Sequence, residues 1–271
     1  MERALALYAQ VLGKRFGVNI VWQDSGTAST DGKTIYVDPR YRTIGTKAQA
    51  ATLFGLIAHE TGHLRLTDFA VLKQGMSPLL KSVHNILEDV WMEREFTRSY
   101  PSVWADILES MVNMRSMGLY GPATAEAERS HPGSVFANFV LTVALARHYG
   151  LDDFSTDAKS RSELAAKRFG VDLVERARSL IEEVDVVCST SAAMDLARSL
   201  LAVLQEVADA EKDPPQGLKP PPSSAAQALE ASEEDLQDVR SEKGDALKEG
   251  ASKNPPQSRG RSQPMSVVNG N

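Results

Sequence analysis

The chain has 271 residues and a formal net charge of −6, so it lacks the positive field that nonspecific binding to nucleic acid or to an anionic membrane requires. Its single cysteine, Cys188, excludes an internal disulfide framework and cysteine-rich zinc sites, and its helical surroundings suggest a small core residue. No apolar run approaches membrane-spanning length, and Glu2 and Arg3 precede an interrupted apolar pattern with no secretory core, so a soluble cytoplasmic protein is expected.

Residues 1–16 read as an amphipathic helix with Leu5, Tyr8, Leu12 and Phe16 on one side. The β-rich runs 18–23 (VNIVWQ) and 33–38 (KTIYVD), separated by Gly, Ser, Thr and Asp, read as a hairpin or two paired strands, and Pro39 ends the second. A sheet edge beside an active-site helix would suit capture of an extended substrate by backbone hydrogen bonds; the plain alternative is a sheet that merely covers the helix. From 46 to 66, Leu53, Leu56, Ile57 and Leu64 recur at helical spacing, Thr46 is a suitable N-cap and no proline intervenes. A second amphipathic helix is expected over 79–96, marked by Leu79, Leu80, Val83, Ile86, Leu87 and Val90.

Beyond Tyr100 the pattern is helical over 103–114, 135–149, 162–169, 171–184 and 191–210, punctuated by Pro101, Pro122, Pro132 and Gly150. Leu196, Leu200, Leu201 and Leu204 form a buried or partner-facing seam on the last of these. From Glu211 the composition turns to proline clusters and mixed charge without an aromatic residue, which reads as a disordered tail or linker with at most a transient helix over 227–249. The expected class is therefore α+β and mostly helical. A domain over 1–210 divides into a catalytic core (1–100) and a helical part (101–210), and a tail follows over 211–271. The ending SVVNGN suggests a missing downstream domain, a truncation or a natural tail, the sharpest version being an N-terminal product of processing.

Residues 59–63 read HETGH, a match to HExxH. A chance match arises in on the order of one such chain in a hundred, so context decides. On a helix, His59 and His63 lie one turn apart on one face and can share a Zn²⁺, while Glu60 sits beside the ion without ligating it. Gly62 costs about 1 kcal/mol of helix propensity relative to alanine, yet lets another backbone or a substrate approach the metal. The metzincin extension is excluded, because its glycine would fall at Leu66 and its third histidine at Phe69. The 79–96 helix instead offers Glu88 and Asp89, between which periodicity does not choose. Asp89 has Asn85 one turn before it and Glu93 one turn after it, a ridge on which one carboxylate could ligate while its neighbours orient a histidine, and this favours Asp89 over Glu88. His131 and His148 read as turn, helix-end or surface residues, since neither has a partner at metal-binding spacing.

HETGHLRLTDF followed by NILEDVWMER resembles the metallopeptidase region of phage and bacterial proteins related to the cobaltochelatase T subunit, and more distantly gluzincins, which pair HExxH with a carboxylate on a later helix. The likeness runs from the strand before the HETGH helix to Tyr100. It implies a zincin-like core, His59 and His63 as zinc ligands, Glu60 as general base, and Asp89 or Glu88 as third ligand. Relatives commonly carry a von Willebrand A-type domain, whose DxSxS motif is not found here, which weakens any inference about chelatase-type assembly.

The expected function is zinc-dependent hydrolysis of peptide bonds in a protein or peptide substrate, through a zinc-activated water with Glu60 as base. Tyr36, Tyr100, Tyr120, Arg65 and His84 are chemically able to stabilise the oxyanion, and sequence spacing places none of them. Two alternatives are a non-catalytic zinc-binding adaptor of a chelatase-like or ATPase-linked complex, with the last helix or tail as partner surface, and a metal-free interaction module.

Overall fold

The computed structural model describes residues 2–13, 18–24, 27–42, 45–72, 76–210, 223–236 and 239. Expectations that fall on Phe16 or on most of the 211–271 tail lie outside the described residues. Helix α1 (Glu2–Gly13) precedes strands β1 (Asn19–Trp22), β2 (Ala28–Thr30) and β3 (Thr34–Val37). Helices α2 (Lys47–Leu66), α3 (Pro78–Ser99), α4 (Val103–Ser116), α5 (Pro132–Tyr149), α6 (Asp152–Phe169), α7 (Val171–Glu182), α8 (Thr190–Ala210) and α9 (Ser224–Leu229) follow. The molecule is mostly helical with a small sheet near its N-terminus. Among the described residues, no helix is long and apolar enough to cross a membrane.

The two expected strands do pair, but in parallel, with Ile20 opposite Ile35, so they do not form a hairpin with each other. The hairpin is β2–β3, and β2 lies in the Gly, Ser, Thr and Asp segment between the two β-rich runs. Its sequence AST carries no apolar alternation, which is why it gave no strand signal. Gly32 makes the turn at φ 85°, and Asp31 Oδ1 accepts from Lys33 N and Thr34 N at 2.8 and 2.7 Å, which lowers the Asp31 pKa. The ring of Phe69, just past α2, lies against the face where a Cβ at Gly32 would project.

Thr46 caps α2 as expected: its side chain accepts from Gln49 N, and the Gln49 side chain accepts from Thr46 N, both at 3.1 Å. Ser77 caps α3 by accepting from Leu80 N at 3.3 Å, with Pro78 in the first turn. Two glycines set how closely α2 is approached. A Cβ at Gly62 would meet Met92 and Phe96 of α3, and one at Gly55 would meet Ser110 and the Asp106 carbonyl of α4. The room at Gly62 is thus taken by core side chains of α3 and not by a substrate or a second backbone.

Helix α5 is buried on nearly every side, from Pro132 through Leu145 and again at Tyr149, and packs against α3 and α6. Gly150, at φ 64°, ends it with a left-handed cap. The leucine seam of α8 is consumed inside the fold, with Leu196, Leu200 and Leu204 buried. Part of the expected tail is likewise folded: α9 packs on α8 and α5, burying Ala225, Ala228 and Ala231, while Leu236 and Val239 are buried beyond it. Ser134 donates to the Asp235 carbonyl, and Gly133 leaves room for Ala231. Alanines bury little area each but permit close helix approach, which average composition hides. Of the helix expected over 227–249, the described residues include α9, which runs Ser224–Leu229, while most of 237–249 lies outside the described residues.

Gly55→Ala is expected to lower unfolding free energy by about 1–2 kcal/mol, since overpacking against the α4 backbone outweighs the roughly 1 kcal/mol of helix propensity gained. Urea denaturation followed by circular dichroism measures this, and a stabilised variant would contradict the packing assigned to Gly55.

Candidate metal centre

His59 and His63 project from the C-terminal half of α2 toward α3, their Nε2 atoms 3.0 Å apart. Asp89 Oδ1 completes a triangle, 3.7 Å from His59 Nε2 and 3.2 Å from His63 Nε2. A point equidistant from these three atoms lies about 1.9 Å from each, and a small lift out of their plane gives the roughly 2.0–2.2 Å of zinc–nitrogen and zinc–oxygen bonds. Among the described residues this is the grouping of His, Cys, Asp and Glu whose donor atoms converge enough to hold an ion. Its side chains retain 20, 14 and 26% exposure, so solvent and ligands have access.

The outer ring nitrogens are both engaged. His59 Nδ1 donates to Glu93 Oε1 at 2.7 Å. The other Glu93 oxygen accepts from His148 Nε2 at 2.9 Å and from the Tyr149 hydroxyl at 2.8 Å, both in the last turn of α5. Trp104 of α4 packs against these rings, with centroids 5.2 Å from His148 and 5.4 Å from Tyr149. His63 Nδ1 faces Glu88 Oε2 at 3.1 Å and Thr67 Oγ1 at 2.9 Å, and Thr67 donates to Glu88 Oε1 at 2.6 Å. Thr190, at the start of α8, reaches Glu88 Oε1 at 3.5 Å and accepts from Asp68 N at 2.9 Å. With each Nδ1 serving as donor, each Nε2 presents a lone pair to the triangle.

The electrostatics follow from burial opposed by close partners. Burial disfavours the charged His59 ring, but its hydrogen bond to Glu93 and the charge of Asp89 outweigh this and raise its pKa. His63 is raised further, for burial is again overcome by Asp89 and Glu88. Burial would push the Glu93 carboxyl up, yet hydrogen bonds from His148 and His59 hold it well below the usual carboxylate range. Burial and the Glu93 charge push the Tyr149 hydroxyl up, so it stays a donor.

Of the two carboxylates left open by the sequence, Asp89 faces both Nε2 atoms and Glu88 holds the back of His63. Glu93 supports His59 as expected. Asn85 does not support either ring: its Oδ1 sits 3.4 Å from His84 Nδ1, and the supports come from Glu88 and Glu93, whose longer arms reach the outer nitrogens. His148 is not a surface residue; its side chain is 8% exposed and bound to Glu93. His131 caps α5 by accepting from Gly133 N. Cys188 is exposed, lying in the connection before α8, and is not a core residue. Thr190 and Tyr149 carried no local signal, because their contacts to Glu88 and Glu93 depend on chain segments brought together only by folding, whereas Thr67 lies one turn from His63 and was open to the same spacing argument.

Glu60 is buried at 6% exposure and lines, with His59 and Asp89, a cavity of about 80 Å³ between α2, α3, α4 and α5. Tyr120 also lines it. Of the other oxyanion candidates, Tyr36 bonds to Asp31, Arg65 and Tyr100 bond to each other, and His84 bonds to the Thr190 carbonyl. Comparison with protein-family models, curated proteins and solved structures finds no match.

Glu93→Gln is expected to weaken zinc affinity about 10- to 100-fold, as loss of such a support does; competition with a chromophoric chelator reads it, and unchanged affinity would remove Glu93 from that role. Because the raised imidazole pKa values let protons compete for Nε2 at pH values above 6.5, zinc affinity should decline as pH falls through this range. The same competition at pH 8 and pH 6 tests it, and equal affinities would contradict it.

Proposed function

We propose that the chain is a zincin-like, gluzincin-type metallopeptidase that hydrolyses peptide bonds, as its resemblance to the region related to the cobaltochelatase T subunit implies. The observation that carries the reading is the convergence of His59 Nε2, His63 Nε2 and Asp89 Oδ1 on a point at metal-bonding distance, beside a cavity lined by Glu60. Two imidazoles and a carboxylate, with no thiolate, form a donor set of the kind catalytic zinc sites use when a fourth position is left for water or substrate. Zinc, when bound there, would supply Lewis acidity that lowers the pKa of water from about 15.7 toward about 7.

In this reading Glu60, adjacent in sequence to His59, takes the proton of the attacking water and returns it to the leaving amine. Glu93 and Glu88 fix the tautomers of His59 and His63 and raise their basicity. Tyr120 donates a hydrogen bond to the developing oxyanion. Strand β2 is an edge of the β1–β3–β2 sheet, and Thr27 and Ala28 border the cavity, which suits an extended substrate pairing with that edge. The adaptor alternative has less support, since the α8 seam once open to a partner is buried within the fold.

Glu60→Gln is expected to keep zinc and lose about 10²- to 10⁴-fold in turnover of casein or a peptide library; a zinc-loaded variant that still cleaves at the parental rate would overturn the assignment. Tyr120→Phe should lower kcat about 100-fold with KM little changed, and an equal rise in KM alone would make Tyr120 a substrate-binding residue instead.

A further inference from the structure

Another cleft, of about 440 Å³, opens where α5, α6 and α7 meet, and it shares no lining residue with the cavity beside the histidines. Its floor is apolar and built from short side chains: Val143 and Ala158 are buried and Ala146 is half-buried, which leaves the space between the helices unfilled. Exposed Arg147, Lys159 and Arg178 stand around that floor, and Glu182 is the carboxylate of the lining. In a chain of net charge −6, a cleft with more cations than anions runs against the overall field and marks a local preference for anions. The three cations are not equally engaged. Arg147 is bound by Asp185 at 2.9 and 2.5 Å, and Glu182 acts on the same guanidinium. Arg178 donates to the Ser162 hydroxyl at 3.2 Å, and among the described residues neither Arg178 nor Lys159 forms an ion pair. Two positive charges are therefore left for a ligand.

We propose that this cleft binds a small, hydroxylated phosphate monoester of the sugar-phosphate type, its phosphate held by Lys159 and Arg178. Charge selects the phosphate: a monoester carries about −1.5 to −2 at neutral pH and three acceptor oxygens, which two uncommitted cations match and a single carboxylate does not. The planar guanidinium fork and the compact ammonium are both established phosphate donors. Size selects a small molecule, because the volume falls within the roughly 300–1,000 Å³ of small-molecule sites. The rest of the lining selects the body of the ligand. Glu182 can accept from a hydroxyl, and the Val143, Ala146 and Ala158 surface can cover C–H groups. No aromatic residue lines the cleft, so a nucleotide base would find nothing to stack on. The proposal stands on α5, α6 and α7 and is independent of the metallopeptidase reading.

Titration calorimetry of the full-length protein with glucose 6-phosphate, glucose, inorganic phosphate and AMP tests the proposal. Glucose 6-phosphate should bind at one per chain and about 10-fold more tightly than inorganic phosphate. Glucose should give no measurable binding, and AMP should bind no more tightly than the sugar phosphate. Lys159→Ala and Arg178→Ala should each weaken glucose 6-phosphate about 10-fold. Both side chains are exposed, so the variants are expected to keep the parental circular dichroism spectrum. Repeating the titration after removal of metal with a chelator should give the same affinity, which separates this cleft from phosphate captured by an ion at the histidines. Glucose 6-phosphate that does not bind, or that survives both substitutions, would overturn the proposal. So would inorganic phosphate binding equally well, which would mean an adventitious ion only, tighter binding of AMP, or binding that disappears with the chelator.

Discussion

His59 Nε2 and His63 Nε2 face each other across 3.0 Å with Asp89 Oδ1 alongside, while both Nδ1 atoms are turned outward onto Glu93 and Glu88. Two lone pairs facing each other at that distance repel, so a proton on one ring nitrogen or a cation between them is needed to relieve the contact. Three carboxylates crowd the same two rings, and partly buried anions without compensation are costly. A dication held between the three atoms would supply the balance in one step, with the rings neutral and their lone pairs aligned. This crowding of imidazoles and carboxylates is built into the packing of α2 on α3, and Gly62 is what lets Met92 and Phe96 bring α3 that close.

The helical part beyond Tyr100 is no appendage to this centre. Helix α5 sends His148 and Tyr149 to Glu93, α8 sends Thr190 to Glu88, and α4 contributes the Trp104 ring that backs the first pair. Each imidazole is thus held through a carboxylate that is itself held by a distant helix, so ring orientation depends on the whole bundle and not on the α2–α3 pair alone. This continuity blurs the division at residue 100, since the cavity walls at Met111 and Leu141 also come from the helical part.

Much of this was legible in the sequence where the signal was local. The Thr46 cap, the 3.6-residue periodicity around His59 and His63, and the Glu88–Asp89–Glu93 spacing on α3 all follow from contacts within a few residues. The preference for Asp89 over Glu88 rested on neighbours at one-turn offsets, of which Glu93 does contact His59 while Asn85 contacts His84. What escaped was non-local or weakly patterned. His148 and Tyr149 meet Glu93 across more than fifty positions, the short polar strand β2 has no alternation, and the alanines of α9 stand in a composition typical of unfolded chain.

The claim on which the account stands is that Asp89, and not Glu88, closes the triangle with the two histidines. Zinc stoichiometry by elemental analysis of wild type, Asp89→Ala and Glu88→Ala tests it most directly. The account predicts one zinc per chain in the wild type, near-complete loss in Asp89→Ala, and retention at weakened affinity in Glu88→Ala. Full zinc content in Asp89→Ala, or a wild-type chain that holds none, would contradict it.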